Sequence, residues 1–112
     1  MSLSSKYIIA LLSFSFSINA FSGAVIDGKK VATVNAGGGD NCTLFKLEGI
    51  NGAMPSTPND PWFAIPTSDP THDVAVSILL TAYSSGKPVR INVNENLTCG
   101  KAGINYIRFS EQ

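Results

Sequence analysis

Residues 70–93, "PTHDVAVSILLTAYSSGKPVRINV", switch periodicity halfway along. Up to Ser85 the apolar residues recur at helical spacing. Ala75, Leu79, Ala82 and Tyr83 form a stripe that Val74 and Ile78 widen. From Pro88 the period is two, with Val89, Ile91 and Val93 on one side and Arg90 and Asn92 on the other. Gly86 and Pro88 mark the junction. Glycine ends a helix in the left-handed conformation, and proline cannot continue one. The stretch predicts one amphipathic helix over 70–85 running into a strand over 88–94. Ser68 or Asp69 supplies the N-cap, Pro70 the first helical position, and Asp73 a charge suited to the helix dipole. Tyr83 and Leu79 are expected close to the inward-facing Val89, Ile91 and Val93. Lys87 and Arg90 are expected on a solvated face.

Every other regular segment reads as strand. Lys30 to Asn35 alternate, after a turn signal at Asp27-Gly28. "CTLFKLEG", 42–49, alternates with Phe45 and Leu47 on one face. The glycines at 37–39 form the connecting loop; Asp40-Asn41-Cys42 follow where a phosphate loop would need Gly-Lys-Ser/Thr opening a helix. "INGAMPSTPNDP", 50–61, is loop by composition. "WFAIP", 62–66, is a short strand bounded by prolines, and "INYIRFS", 104–110, is the last strand. The order strand, strand, strand, helix, strand, strand, taken as a five-stranded antiparallel set, is that of an OB-fold barrel with one α-helix between strands 3 and 4. A small α+β sheet with one covering helix satisfies the same pattern.

The first twenty residues read differently. Lys6 precedes a mostly apolar run, Tyr7 to Phe16, that is far shorter than the ~20 residues a bilayer requires. Small residues follow, so 1–20 are expected to be a secretory signal peptide, with cleavage as late as Ala24. Residues 21–112 then form a single domain of roughly 90 residues, near the size at which a lone core is marginal. Export to a secreted or periplasmic compartment makes Cys42 and Cys99 a natural disulfide pair. In the chain-entropy model such a bridge contributes about 4 kcal/mol.

Eight basic residues balance eight acidic ones, and losing Lys6 with the signal leaves a single acidic charge in excess. That excludes a nucleic-acid binder driven by a wholly basic face, and a strongly cationic membrane-active segment. No cofactor motif occurs. No metal is expected, because the only histidine, His72, lies far in sequence from both cysteines. Asp60, Asp69 and Asp73 lack the spacing of a calcium loop. His72 beside Asp73 is expected to be a solvated first-turn residue rather than a catalytic base. No nucleophile motif accompanies it, so the chain is not expected to be an enzyme.

The mature start "FSGAV", the strand "FKLEG" and above all "LLTAYSSGKPVRINV" resemble the binding (B) subunit of subtilase-type AB5 toxins and related small secreted OB-fold proteins. The match is tightest over 75–95. The resemblance implies an OB-fold that assembles as a pentameric homo-oligomer, binds sialylated host cell-surface glycans and partners a toxin catalytic subunit. It transfers no glycan-contacting residue. If a ligand face exists, it is expected near the two cysteines, where Asp40, Asn41, Asn96 and Thr98 place polar groups. Trp62 either stacks on a sugar at a loop rim or belongs to the core, with Trp62 or Phe63 filling the barrel. The other function class is a small structural or inhibitory protein that binds a protein partner and no glycan.

Overall fold

The computed structural model describes residues 24–37 and 41–111. The signal-peptide expectation and Asp40 lie outside the described residues. The elements are β1 (Ala24–Lys29), β2 (Val31–Ala36), β3 (Cys42–Leu47), β4 (Phe63–Pro66), α1 (His72–Ser85), β5 (Val89–Thr98) and β6 (Lys101–Phe109). They form one six-stranded sheet in the order β1-β5-β6-β4-β3-β2, with one helix packed against it. The sheet thus has six strands rather than five, and its β4–β6 pair is parallel where an all-antiparallel set is expected, because both strands run the same way along the seam. It is also open: among the described residues no ladder joins β1 to β2, although only Lys30 separates them.

The extra strand comes from Asp27-Gly28, which does not reverse the chain. Gly28 has φ +78°, and the ladder to β5 slips between Asp27 and Lys29. This is a bulge, where a left-handed glycine bends a strand without ending it. Past Lys30 the chain leaves β5 and pairs with β3 instead. β5 and β6 are also longer than the alternation predicts. They meet in a two-residue turn, Cys99-Gly100, with φ of 53° and 74° between the paired residues Thr98 and Lys101. Positive φ at both central residues is the hairpin turn that matches strand twist.

The core forms where α1 crosses the sheet. Phe45, Phe63, Leu79, Val89 and Ile91 are wholly buried, with Leu47 and Val93 beside them. Phe45 and Phe63 stack with ring centroids 5.2 Å apart. Val89, Ile91 and Val93 face inward as their alternation predicts. The helix begins two residues later than expected, after a turn held by Asp69, whose Oδ1 accepts from the Thr71 N–H at 2.8 Å and the Thr71 hydroxyl at 2.9 Å. It ends at Gly86, left-handed at φ 73°, whose N–H donates to the Ala82 carbonyl at 2.8 Å.

The helix buries a narrower stripe than its sequence suggests. Ala75, Leu79 and Ala82 are covered, but Val74 is 64% exposed and Tyr83 54% exposed. Alanines at the contact bring the helix close to the sheet, so residues at the margins of the stripe lie outside it. His72 also departs from expectation. Its ring is largely buried, with Nδ1 3.0 Å from Asp73 Oδ1 and Nε2 2.9 Å from Thr43 Oγ1. A carboxylate only accepts, so Nδ1 carries a proton toward Asp73, and Nε2 shares a hydrogen bond with the Thr43 hydroxyl. Thr43 is itself buried, so this relay fastens the start of α1 to β3 and presents no hydroxyl to a substrate.

Candidate ligand-binding cleft

β6 pairs with β4 through only two residue pairs, Phe63↔Ala102 and Ala64↔Gly103. Beyond them the strands part. On the β5 side, Asn92 pairs with Tyr106 and Val93 with Ile104, so Asn105 is bulged out. On the other side β4 stops at Pro66. The gap is roofed by the first half of α1 and leaves a cleft of about 250 Å³. Its floor is apolar: Ile65, Ala75, Ile78, Ile104 and Ile107. Its rim is polar: Asp69, Thr71, Asn105 and Tyr106.

Each rim group is fixed by a partner. The Thr71 N–H, then the Thr71 hydroxyl, hold the Asp69 carboxyl below the usual carboxylate range. Asp69 is therefore ionised near neutrality, and its Oδ2 makes no hydrogen bond among the described residues. Asn105 accepts at Oδ1 from Asn94 Nδ2 at 3.1 Å and donates from Nδ2 to Asn92 Oδ1. The Tyr106 hydroxyl accepts from Arg90 Nε at 3.2 Å, and the Arg108 guanidinium lies 5.2 Å from the centre of its ring. An apolar floor with a few converging, pre-oriented polar groups suits binding of a small amphipathic ligand.

The residues nominated from sequence lie elsewhere. Asn41 is exposed at the entry to β3, and its carbonyl accepts from the Thr67 N–H at 2.9 Å and hydroxyl at 3.2 Å. Asn96 is exposed on β5, its N–H donating to Asn94 Oδ1 at 2.9 Å. Thr98 is half-buried, with Oγ1 against Gly103, where a Cβ would come within 2.5 Å. The Cys42–Cys99 disulfide, with Cα atoms 6.6 Å apart, draws the chain around Asn41 and Thr98 together. No hydrogen bond joins any two of these nominated residues among the described residues.

Trp62 is half-buried and stands outside the core, and of the two adjacent aromatics it is Phe63 that is wholly buried there. The Lys46 ammonium lies 4.9 Å from the centre of the Trp62 ring, and the Trp62 backbone N–H donates to Asp60 Oδ1 at 3.1 Å. Asp60 Oδ2 accepts from Lys101 Nζ at 2.9 Å. Partial burial, the largest single influence on Asp60, pushes its pKa up. The Lys101 hydrogen bond, the Trp62 N–H and the Lys101 charge together outweigh it and leave the group lowered.

In the sequence Asp69 reads as a cap and as one of three aspartates without calcium-loop spacing, and neither Asn105 nor Tyr106 stands out as a site residue. One local signal pointed to them. In "INYIRF" two consecutive outward-type residues separate two inward isoleucines, which is the mark of a bulge. Compared with known proteins, the chain matches no family model, no curated sequence and no solved structure.

Proposed function

We propose that the chain is a secreted, non-catalytic binding module that recognises a cell-surface glycan as a homo-oligomer. The cleft between α1 and β6 carries this reading. Its isoleucine floor suits the apolar face of a sugar ring, and Asp69, Asn105 and the Tyr106 hydroxyl suit sugar hydroxyls. The resemblance over 75–95 points the same way. It also extends the reading to a pentamer and a catalytic partner subunit.

The strand order supports an OB-type barrel as the finer fold. β1 and β2 are consecutive in sequence yet stand at opposite edges of the sheet, with only Lys30 between them. Taken as two halves of one bent strand, they would close the sheet through that residue. Exposed Val74, Leu80 and Tyr83 on α1 give the oligomer an apolar surface to bury.

A glycan array probed with oligomer verified by light scattering tests the reading. Binding that Tyr106→Ala or Asn105→Ala abolishes supports it; no binding at high concentration of verified oligomer overturns it. The exposed apolar face of α1 also favours the second reading, a protein partner without a glycan. A monomer that binds no glycan selects that alternative.

A further inference from the structure

Arg90 on β5 and Arg108 on β6 face each other directly across the antiparallel ladder. Like charges at such a pair repel and destabilise a sheet. One carboxylate answers them. Asp27 Oδ2 accepts from Arg90 at 3.3 Å, while Asp27 Oδ1 is taken by the Ser110 hydroxyl at 2.6 Å. Arg108 makes no ion pair among the described residues. Tyr106 serves as scaffold to both, its hydroxyl accepting from Arg90 and its ring lying under Arg108. Two guanidinium groups are thus held side by side on the outer face, with one unit of positive charge unanswered. Beside them runs the amide row Asn92–Asn105–Asn94, linked by its own hydrogen bonds.

We propose that Arg90, Arg108 and the Asn92–Asn105–Asn94 row form a strip that binds a sulfated polysaccharide chain. The planar forks of the two arginines engage sulfate oxygens in pairs, as guanidinium does with tetrahedral oxyanions. The amides, each with donors and acceptors, take hydroxyls between sulfates. The ring of Tyr106 is occupied by Arg108, so the strip offers no stacking platform for a nucleobase. The strip stands on a different observation from the cleft, which it meets at Asn105 and Tyr106.

Immobilised heparin is the probe, with unsulfated hyaluronan and single-stranded DNA of matched charge as the other arms. The expected result is salt-sensitive binding to heparin, at least about tenfold weaker to hyaluronan and to DNA. Arg108→Gln is expected to weaken heparin binding about tenfold, the worth of one charged hydrogen-bonded contact. Arg108 is exposed, so the variant should fold, which its circular dichroism checks. Asn94→Ala is a second exit from the same strip and is expected to cost a smaller factor. Failure to bind heparin at low ionic strength overturns the proposal. So does equal binding to DNA, or heparin binding that neither variant changes. Asp69→Asn changes a cleft residue that bonds Thr71 and no residue of the strip, so it should lower array binding to unsulfated glycans without lowering heparin binding, and the two readings can fail independently.

Discussion

The two wings of the sheet are held together by different physics. β5 and β6, with 10 and 9 residues, form a long hairpin whose pairing is local in sequence, and β1 lies along its outer side. β2, β3 and β4 are short, 6, 6 and 4 residues, but contribute the stacked Phe45–Phe63 pair and Leu47 to the core. The first wing is specified by its ladder and displays a polar outer network. The second is specified by burial. Between them lies a seam of two parallel residue pairs, reinforced by the Cys42–Cys99 bridge and the Asp60–Lys101 ion pair. Such a seam is weak in backbone terms and strong in cross-links, so perturbations there should separate the wings more readily than perturbations within either one.

The largest effect is expected from the disulfide. Its cysteines are 57 residues apart, and a closed loop of that size corresponds to roughly 4 kcal/mol of stability. Cys42→Ala with Cys99→Ala should lower the urea midpoint accordingly. Hydrogen exchange should show β4 and the start of β6 losing protection before the rest of the β5–β6 hairpin. Simultaneous loss across both wings would break the comparison.

A middle-sized effect belongs to the aromatic pair. Phe63 is wholly buried at the seam, paired with Phe45 on one side and Ala102 on the other. Phe63→Leu removes part of the buried area and the ring–ring interaction, together about 2 kcal/mol. A double-mutant cycle with Phe45→Leu should return a coupling of about 1 kcal/mol, measured by denaturant titration. Zero coupling would mean that the wing is held by burial area alone. Gly86→Ala comes next. It places a Cβ on a left-handed residue between α1 and β5, at a cost of about 1 kcal/mol, with no clash because nothing lies within 4 Å.

Gly86 also shows what was legible. Its role depends on neighbours within a few residues, and the helix, its end, and the inward Val89, Ile91 and Val93 all follow from local spacing. The pairing of Cys42 with Cys99 followed from compartment and count. Features that depend on long-range register were not legible. Asp27-Gly28 has the composition of a turn and becomes a bulge only because β5 is there to pair with β1. His72 looked solvated because Thr43, its partner, is 29 residues away. Trp62 and Phe63 are adjacent and both aromatic, so the choice of which faces inward rests on the register of β4 against β3. The cleft was hidden for the same reason, since Asp69 and Tyr106 share a rim only once β4 and β6 part beneath α1.

The smallest expected effect discriminates most finely, because Lys101 and Asp60 span the seam without contributing to the core. Both are partly exposed, and pairs of this kind contribute under about 1 kcal/mol. Its signature is therefore pH rather than magnitude. The Asp60 pKa is lowered in the folded protein below the 3.8 of a free carboxyl. Its contribution is present in full above that ordinary value and is lost as pH falls through the lower, folded one. In Lys101→Met the lowering influence of the ammonium is gone, while the burial that raises Asp60 remains. The gap in urea midpoint between wild type and variant should thus be constant near neutrality and shrink as the solution is acidified below about pH 4. Lys87→Met, which removes an ammonium 5.8 Å from the Phe109 ring and no carboxylate contact, should show no such narrowing. If the Lys101→Met gap persists unchanged into acid, the lysine acts through its alkyl chain, and the seam is held by packing and the disulfide without electrostatic help.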